Sequence, residues 1–122
     1  MLRSFAPALA WAFVIWLIGG ITDVPSVPGG LGLDKLAHFT MFAILGWLFA
    51  RGWSEAGLRR GALLPIVFVM LLGAADEVRQ ASLATRSADP ADWVADVAGG
   101  AVGYASGLRR GRGQRMNEER DE

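Results

Sequence analysis

From Ala75 to Gly99 the chain reads ADEVRQASLATRSADPADWVADVAG, a polar run set into apolar sequence. Its skeleton is Asp76-Glu77-x-x-Gln80, then Arg86-x-x-Asp89-x-x-Asp92-x-x-x-Asp96-x-x-Gly99. One apolar stretch, Leu63 to Ala75, ends directly before it, and another, Trp93 to Leu108, begins inside it. Ionised side chains this close to membrane-grade sequence are costly unless they are paired, which makes them the first candidates for a functional site.

Working outward, two more apolar segments appear, Leu2 to Ile21 and Leu36 to Ala50. Leu2 to Ile21 is apolar and aromatic, too long for the core of a signal peptide, and is read as a retained helix. Thr22 to Leu33 carries Pro25, Pro28, Gly29, Gly30 and Gly32 and reads as a loop. The apolar parts of the next segments are short: Leu36 to Ala50, Gly61 to Ala75 and Val97 to Leu108. A helix needs about 20 residues, at roughly 1.5 Å each, to cross a core of roughly 30 Å. Each segment reaches that length only if its acidic end is helical. The expected spans are therefore about 2–21, 34–53, 61–80 and 89–108, followed by a charged tail, 109–122, expected to be mobile.

The fold expected is an all-α membrane protein, a four-transmembrane-helix bundle in one domain. Arg3, Arg51, Arg59, Arg60, Arg109, Arg110, Arg112, Arg115 and Arg120 fall on one side of it. Only Lys35, Arg79 and Arg86 fall on the other, together with Asp23, Asp34, Asp76, Glu77, Asp89, Asp92 and Asp96. Positive residues stay in the cytoplasm, so both termini are expected there and the acidic motifs outside.

Composition agrees and excludes other classes. The 122 residues are 52% apolar, with mean hydropathy +0.33. Twelve basic and twelve acidic residues balance, which gives no reason to expect a nucleic-acid partner. Without cysteine there are no disulfides, thiolate metal ligands or thiol nucleophiles.

On the last span, at about 100° per residue, Asp96, Gly99, Gly103 and Gly107 lie within about 60° of Asp92. The glycines read as a close-packing stripe for a neighbouring helix or, through this span, a homo-oligomer. Asp96 shares that inward face and needs a partner, with Arg86 or His38 expected. Asp89-Pro90-Ala91-Asp92 reads as an N-cap, a proline at the first helical position and an acid at the third. Asp34 is expected to cap its helix in the same way, with His38 one turn further along the same face. Both helix starts would aim their positive dipole ends into one outer cleft. Trp53 and Trp93 suit inner and outer interface girdles, and the arginines of the tail suit anionic lipid.

Asp34-Lys35-x-x-His38-Phe39, Asp76-Glu77-x-x-Gln80 and Arg86-x-x-Asp89-x-x-Asp92-x-x-x-Asp96-x-x-Gly99, in this order, resemble the VanZ family. The resemblance runs from about Leu33 to Gly107. Asp96 stands where the family usually carries Asn, and Ala84-Thr85 where Pro-Gly tends to precede the arginine. The resemblance implies a small multi-pass protein of the bacterial cytoplasmic (inner) membrane. It also implies a link of the family to the glycopeptide teicoplanin and the cell envelope, and names no reaction.

Three functions compete. The first is an envelope protein whose outer acidic cleft (Asp34, Lys35, His38, Asp76, Glu77, Gln80, Arg86, Asp89, Asp92, Asp96) binds a cationic group, a lipid headgroup or a peptidoglycan-related molecule. No nucleophile–base pair is visible, so this reading needs no enzyme, cofactor or resident metal. The second is a membrane enzyme acting on a lipid-linked phosphate, with a divalent cation (Mg²⁺, Mn²⁺ or Ca²⁺) held by some of Asp76, Glu77, Asp89, Asp92, Asp96 and His38. A proton- or cation-linked transporter is the third; its acids lie at one face and not at mid-membrane.

Overall fold

The computed structural model describes residues 2–21, 32–58, 63–82 and 89–121. These residues form four helices and no strand: α1 (Leu2–Ile21), α2 (Leu33–Glu55), α3 (Leu63–Ala81) and α4 (Pro90–Asp121). The proline- and glycine-rich loop after Ile21, the pair Arg59 and Arg60, the start of the third expected span, and Arg86 lie outside the described residues.

Local chemistry sets the helix ends. Asp89 accepts the Ala91 N–H on Oδ1 at 2.9 Å, and its carbonyl accepts the Asp92 N–H at 2.9 Å, so it caps α4 with Pro90 in the first helical position. The expected cap at Asp34 is not formed. Gly32, at φ 63°, takes the N-cap place without a side-chain bond, and Asp34 sits inside the first turn of α2. At the other end of α2, Gly57 adopts φ 69° and the Gly57 and Leu58 N–H groups bond the Ser54 and Trp53 carbonyls. This left-handed stop satisfies the last carbonyls of the helix. α4 does not end near Leu108 but runs on through the arginine-rich tail to Asp121. Its glycines there, Gly111 and Gly113, are outvoted by good helix formers.

α2 and α4 form the tightest pair; α1 lies against α2 and α3 against α4. The pair is parallel, because Phe39 meets Gly99, Ala43 meets Gly103, Ala50 meets Gly107 and Ser54 meets Gly111 in step. A Cβ on Gly99 or Gly103 would collide with the carbonyl oxygen of Phe39 or Ala43, so only glycine lets the two backbones touch. The expected small-residue stripe is thus filled by α2 of the same chain.

The core joins Ala8, Ala12 and Ile15 of α1 to Phe42, Leu45, Phe49 and Ala50 of α2, Val69 of α3 and Tyr104 of α4. Trp53 is buried, edge-on to Phe5 at 5.9 Å, so it packs inside and forms no girdle. Trp93 instead donates its indole N–H to the Met70 carbonyl at 3.1 Å.

Polarity is arranged against the habit of a protein folded in water. Asp76, Glu77, Gln80, Asp92 and Asp96 are buried, while Phe13, Leu36, Leu64, Leu71, Val94 and Val102 are exposed. Exposed large apolar side chains occur on all four helices. Two helices, α1 (over Arg3–Gly20) and α2 (Leu33–Glu55), are long and apolar enough to cross a membrane.

Candidate functional site

The end of α1, the start of α2, the end of α3 and the start of α4 meet at one end of the bundle, and the acidic motifs meet there with them. α2 brings Asp34, Lys35 and His38; α3 brings Asp76, Glu77 and Gln80; α4 brings Asp92 and Asp96, with Asp89 as its cap. Lys35 Nζ donates to Asp89 Oδ2 at 2.8 Å and to Asp92 Oδ1 at 3.1 Å, bridging the start of α2 to the start of α4.

Deeper in, His38 Nδ1 and Asp96 Oδ1 are 2.9 Å apart, and Asp96 is 0% exposed. Its other oxygen lies over Gly73, which has no side chain to displace it. On α3, Gln80 Nε2 donates to Asp76 Oδ2 at 2.8 Å, one turn back. Glu77 Oε2 accepts the Asp89 backbone N–H at 2.9 Å, which ties α3 to the first turn of α4. α1 closes the far side: Gly19 abuts the Asp76 carboxylate, and Arg79 donates to the Trp16 carbonyl with its guanidinium 4.2 Å from the Trp16 ring centre.

Three buried carboxylate oxygens, Asp76 Oδ1, Glu77 Oε1 and Asp96 Oδ2, have no hydrogen-bond partner among the described residues. An ionised carboxylate taken out of water costs on the order of several kcal/mol unless it is compensated. Lys35 answers Asp89 and Asp92, and His38 answers one oxygen of Asp96. The remaining oxygens call for protons, water or a cation. One ligand atom from each of Asp34, His38 and Asp92 also lies within 4.8 Å of the other two.

Of the expected site residues, the structure gathers Asp34, Lys35, His38, Asp76, Glu77, Gln80, Asp89, Asp92 and Asp96; Arg86 lies outside the described residues. Of the two partners expected for Asp96, it places His38. Sequence reasoning missed Gly19, Gly73 and the Arg79–Trp16 contact. Small residues inside apolar helices were the only signal for the first two, and nothing in the spacing pairs α1 with α3.

A cavity of about 360 Å³ opens at the opposite end, between α2 and α4, lined by Trp47, Arg51, Ser54, Glu55, Gly107, Arg110 and Gly111. The two ends thus differ in kind, one acidic and the other bearing arginines.

An all-helical bundle with apolar outer faces and a buried carboxylate–histidine network at one end defines the class of protein. The chain belongs to the VanZ/LLP1 family, whose family model matches residues 3–108. No curated protein and no solved structure matches it.

Proposed function

We propose that this chain is a multi-pass protein of the bacterial cytoplasmic membrane, with α1, α2, α3 and the first part of α4 as its four spans. Both termini are cytoplasmic, and the acidic site faces the cell envelope. Exposed apolar side chains on every helix support the spans, and the arginines at the opposite end support the orientation. A homo-oligomer through α4 would use a face other than the glycine stripe, which α2 covers.

The site binds a positively charged group of an envelope ligand, such as the amine of a lipid headgroup or of a peptidoglycan stem peptide. The observation that carries this reading is the set of three buried, unpartnered carboxylate oxygens. An ammonium group offers three donors and a charge of the required sign. By occupying a peptidoglycan-related molecule at the outer face, such a protein would reduce what a glycopeptide such as teicoplanin can reach.

Two probes separate the sources of the amine. Native mass spectrometry of protein released from nanodiscs containing phosphatidylethanolamine tests the lipid; calorimetry with a soluble lysine-containing stem pentapeptide tests the peptide. One of them should bind, and the Asp76→Asn, Glu77→Gln double variant should bind it at least about tenfold more weakly with its helicity intact. Equal binding by the double variant, or by an N-acetylated probe, rejects the reading.

The second reading, a metal-dependent membrane enzyme acting on a lipid-linked phosphate, draws on one observation, the convergence of Asp34, His38 and Asp92.

A further inference from the structure

We infer that Asp34, His38 and Asp92 form a divalent-metal site, and that Asp96 is the positioning residue for its imidazole. This deepens the reading of the acidic end as a cation-binding pocket and rests on it, assigning one part of that pocket to a metal ion.

The geometry comes first. Donor atoms within 4.8 Å of one another can share a single ion at roughly 2.0–2.4 Å from each. Asp34 and His38 stand one turn apart on α2, and Asp92 comes from the parallel helix α4. Because the two backbones touch at Gly99 and Gly103, the ligands from both helices are held in fixed register. Preorganisation of that kind is what a metal site needs.

The histidine carries the chemistry. Asp96, fully buried, places Oδ1 2.9 Å from His38 Nδ1. With Asp96 ionised and accepting from Nδ1–H, Nε2 is the nitrogen left with a lone pair for a metal. A carboxylate behind a histidine fixes both tautomer and ring orientation for a metal in front of it. Lys35 bonds one oxygen of Asp92 and one of Asp89, and a carboxylate has a second oxygen with lone pairs of its own.

A second buried acid stands at the same end of the bundle. Glu77 is 8% exposed and anchored by Oε2 to the Asp89 N–H, and it lies close enough to His38 and Asp92 to feel their charges. Its Oε1 has no partner among the described residues. Two carboxylates and an imidazole make a mixed oxygen–nitrogen set, which suits Mn²⁺ or Zn²⁺ better than Mg²⁺ or Ca²⁺. Three protein donors leave positions open for outside oxygen ligands.

The test uses the full chain in detergent, stripped with a chelator and titrated with Mn²⁺. Electron paramagnetic resonance should show one saturable Mn²⁺ per chain, displaced by Zn²⁺, and pulsed measurements should show imidazole nitrogen coupling. His38→Ala should lose the nitrogen coupling and, like Asp92→Asn, weaken binding at least about a hundredfold. Asp96→Asn should weaken it about tenfold to a hundredfold while keeping a nitrogen coupling of altered strength, as expected of a residue acting through His38. Glu55→Gln, at the opposite end, should change nothing.

Absence of nitrogen coupling in the unmodified protein, or of saturable binding up to millimolar Mn²⁺, overturns the site without using any variant. If the amine probes still bind in that case, only the metal assignment falls. If they fail as well, the reading of the acidic end falls with it.

Discussion

His38 on α2 and Asp96 on α4, 58 residues apart in the chain, meet with Nδ1 and Oδ1 2.9 Å apart. The carboxylate is fully buried, so this contact is its only compensation among the described residues. Hydrogen bonds to charged groups contribute about 1.5–3 kcal/mol, and losing one partner strands the other. A double-mutant cycle of His38→Ala and Asp96→Asn, read by unfolding in mixed micelles, is expected to give a coupling of about 1–3 kcal/mol. Additive single effects would show that the two side chains do not depend on each other.

Gly103 lets the α4 backbone touch the Ala43 carbonyl. Gly103→Val is expected to push α4 off α2 and destabilise the protein by about 3 kcal/mol or more, since backbone cannot yield as a side chain can. Gly113, which has nothing within 4 Å, is the control. Gly113→Ala should leave thermal unfolding unchanged or raise it slightly, because alanine is the better helix former.

Lys35 holds Asp89 and Asp92 together while being 43% exposed, so solvent screens much of its contribution to stability. Lys35→Met removes a positive charge that competes with any bound cation. Mn²⁺ affinity is expected to rise at least about threefold, and more at low ionic strength. Weaker Mn²⁺ binding by this variant would mean that the lysine helps to build the ion's site and does not oppose it.

The absence of cysteine makes topology directly measurable. Ser82 is exposed at the acidic end, and Gly113 is exposed beyond the basic one. In intact cells, or in spheroplasts where an outer membrane blocks access, Ser82→Cys should react with a membrane-impermeant maleimide. Gly113→Cys should react only after permeabilisation. The reverse pattern would place the acidic site in the cytoplasm.

The gathering of the acids was legible because three apolar runs were too short to stand without their polar ends. The cap at Asp89 was legible from Asp-Pro with an acid two residues later, since that chemistry is local. Asp34 read the same way and is not a cap, because a left-handed Gly32 takes the place two residues earlier. The parallel α2–α4 pairing was only half legible. Gly99, Gly103 and Gly107 announced a close neighbour, but Gly46 meeting Gly100 identifies it only once both helices are placed. Trp53 belongs to the core because Phe5 of α1 packs edge-on against it, a contact between distant segments that no periodicity encodes. The helix beyond Leu108 was hidden in the sequence by Gly111 and Gly113, which the arginines, Gln114 and Met116, all good helix formers, outweigh in the fold.

The backbone seam between α2 and α4 has a mechanical result. Two helices locked carbonyl to glycine along their length behave as one stiff plank, and that plank carries His38, Asp92 and Asp96. α1 and α3 touch each other and the rest far more sparingly, through contacts such as Gly19 on Asp76 and Arg79 on Trp16. The more loosely held side of the acidic end is therefore theirs.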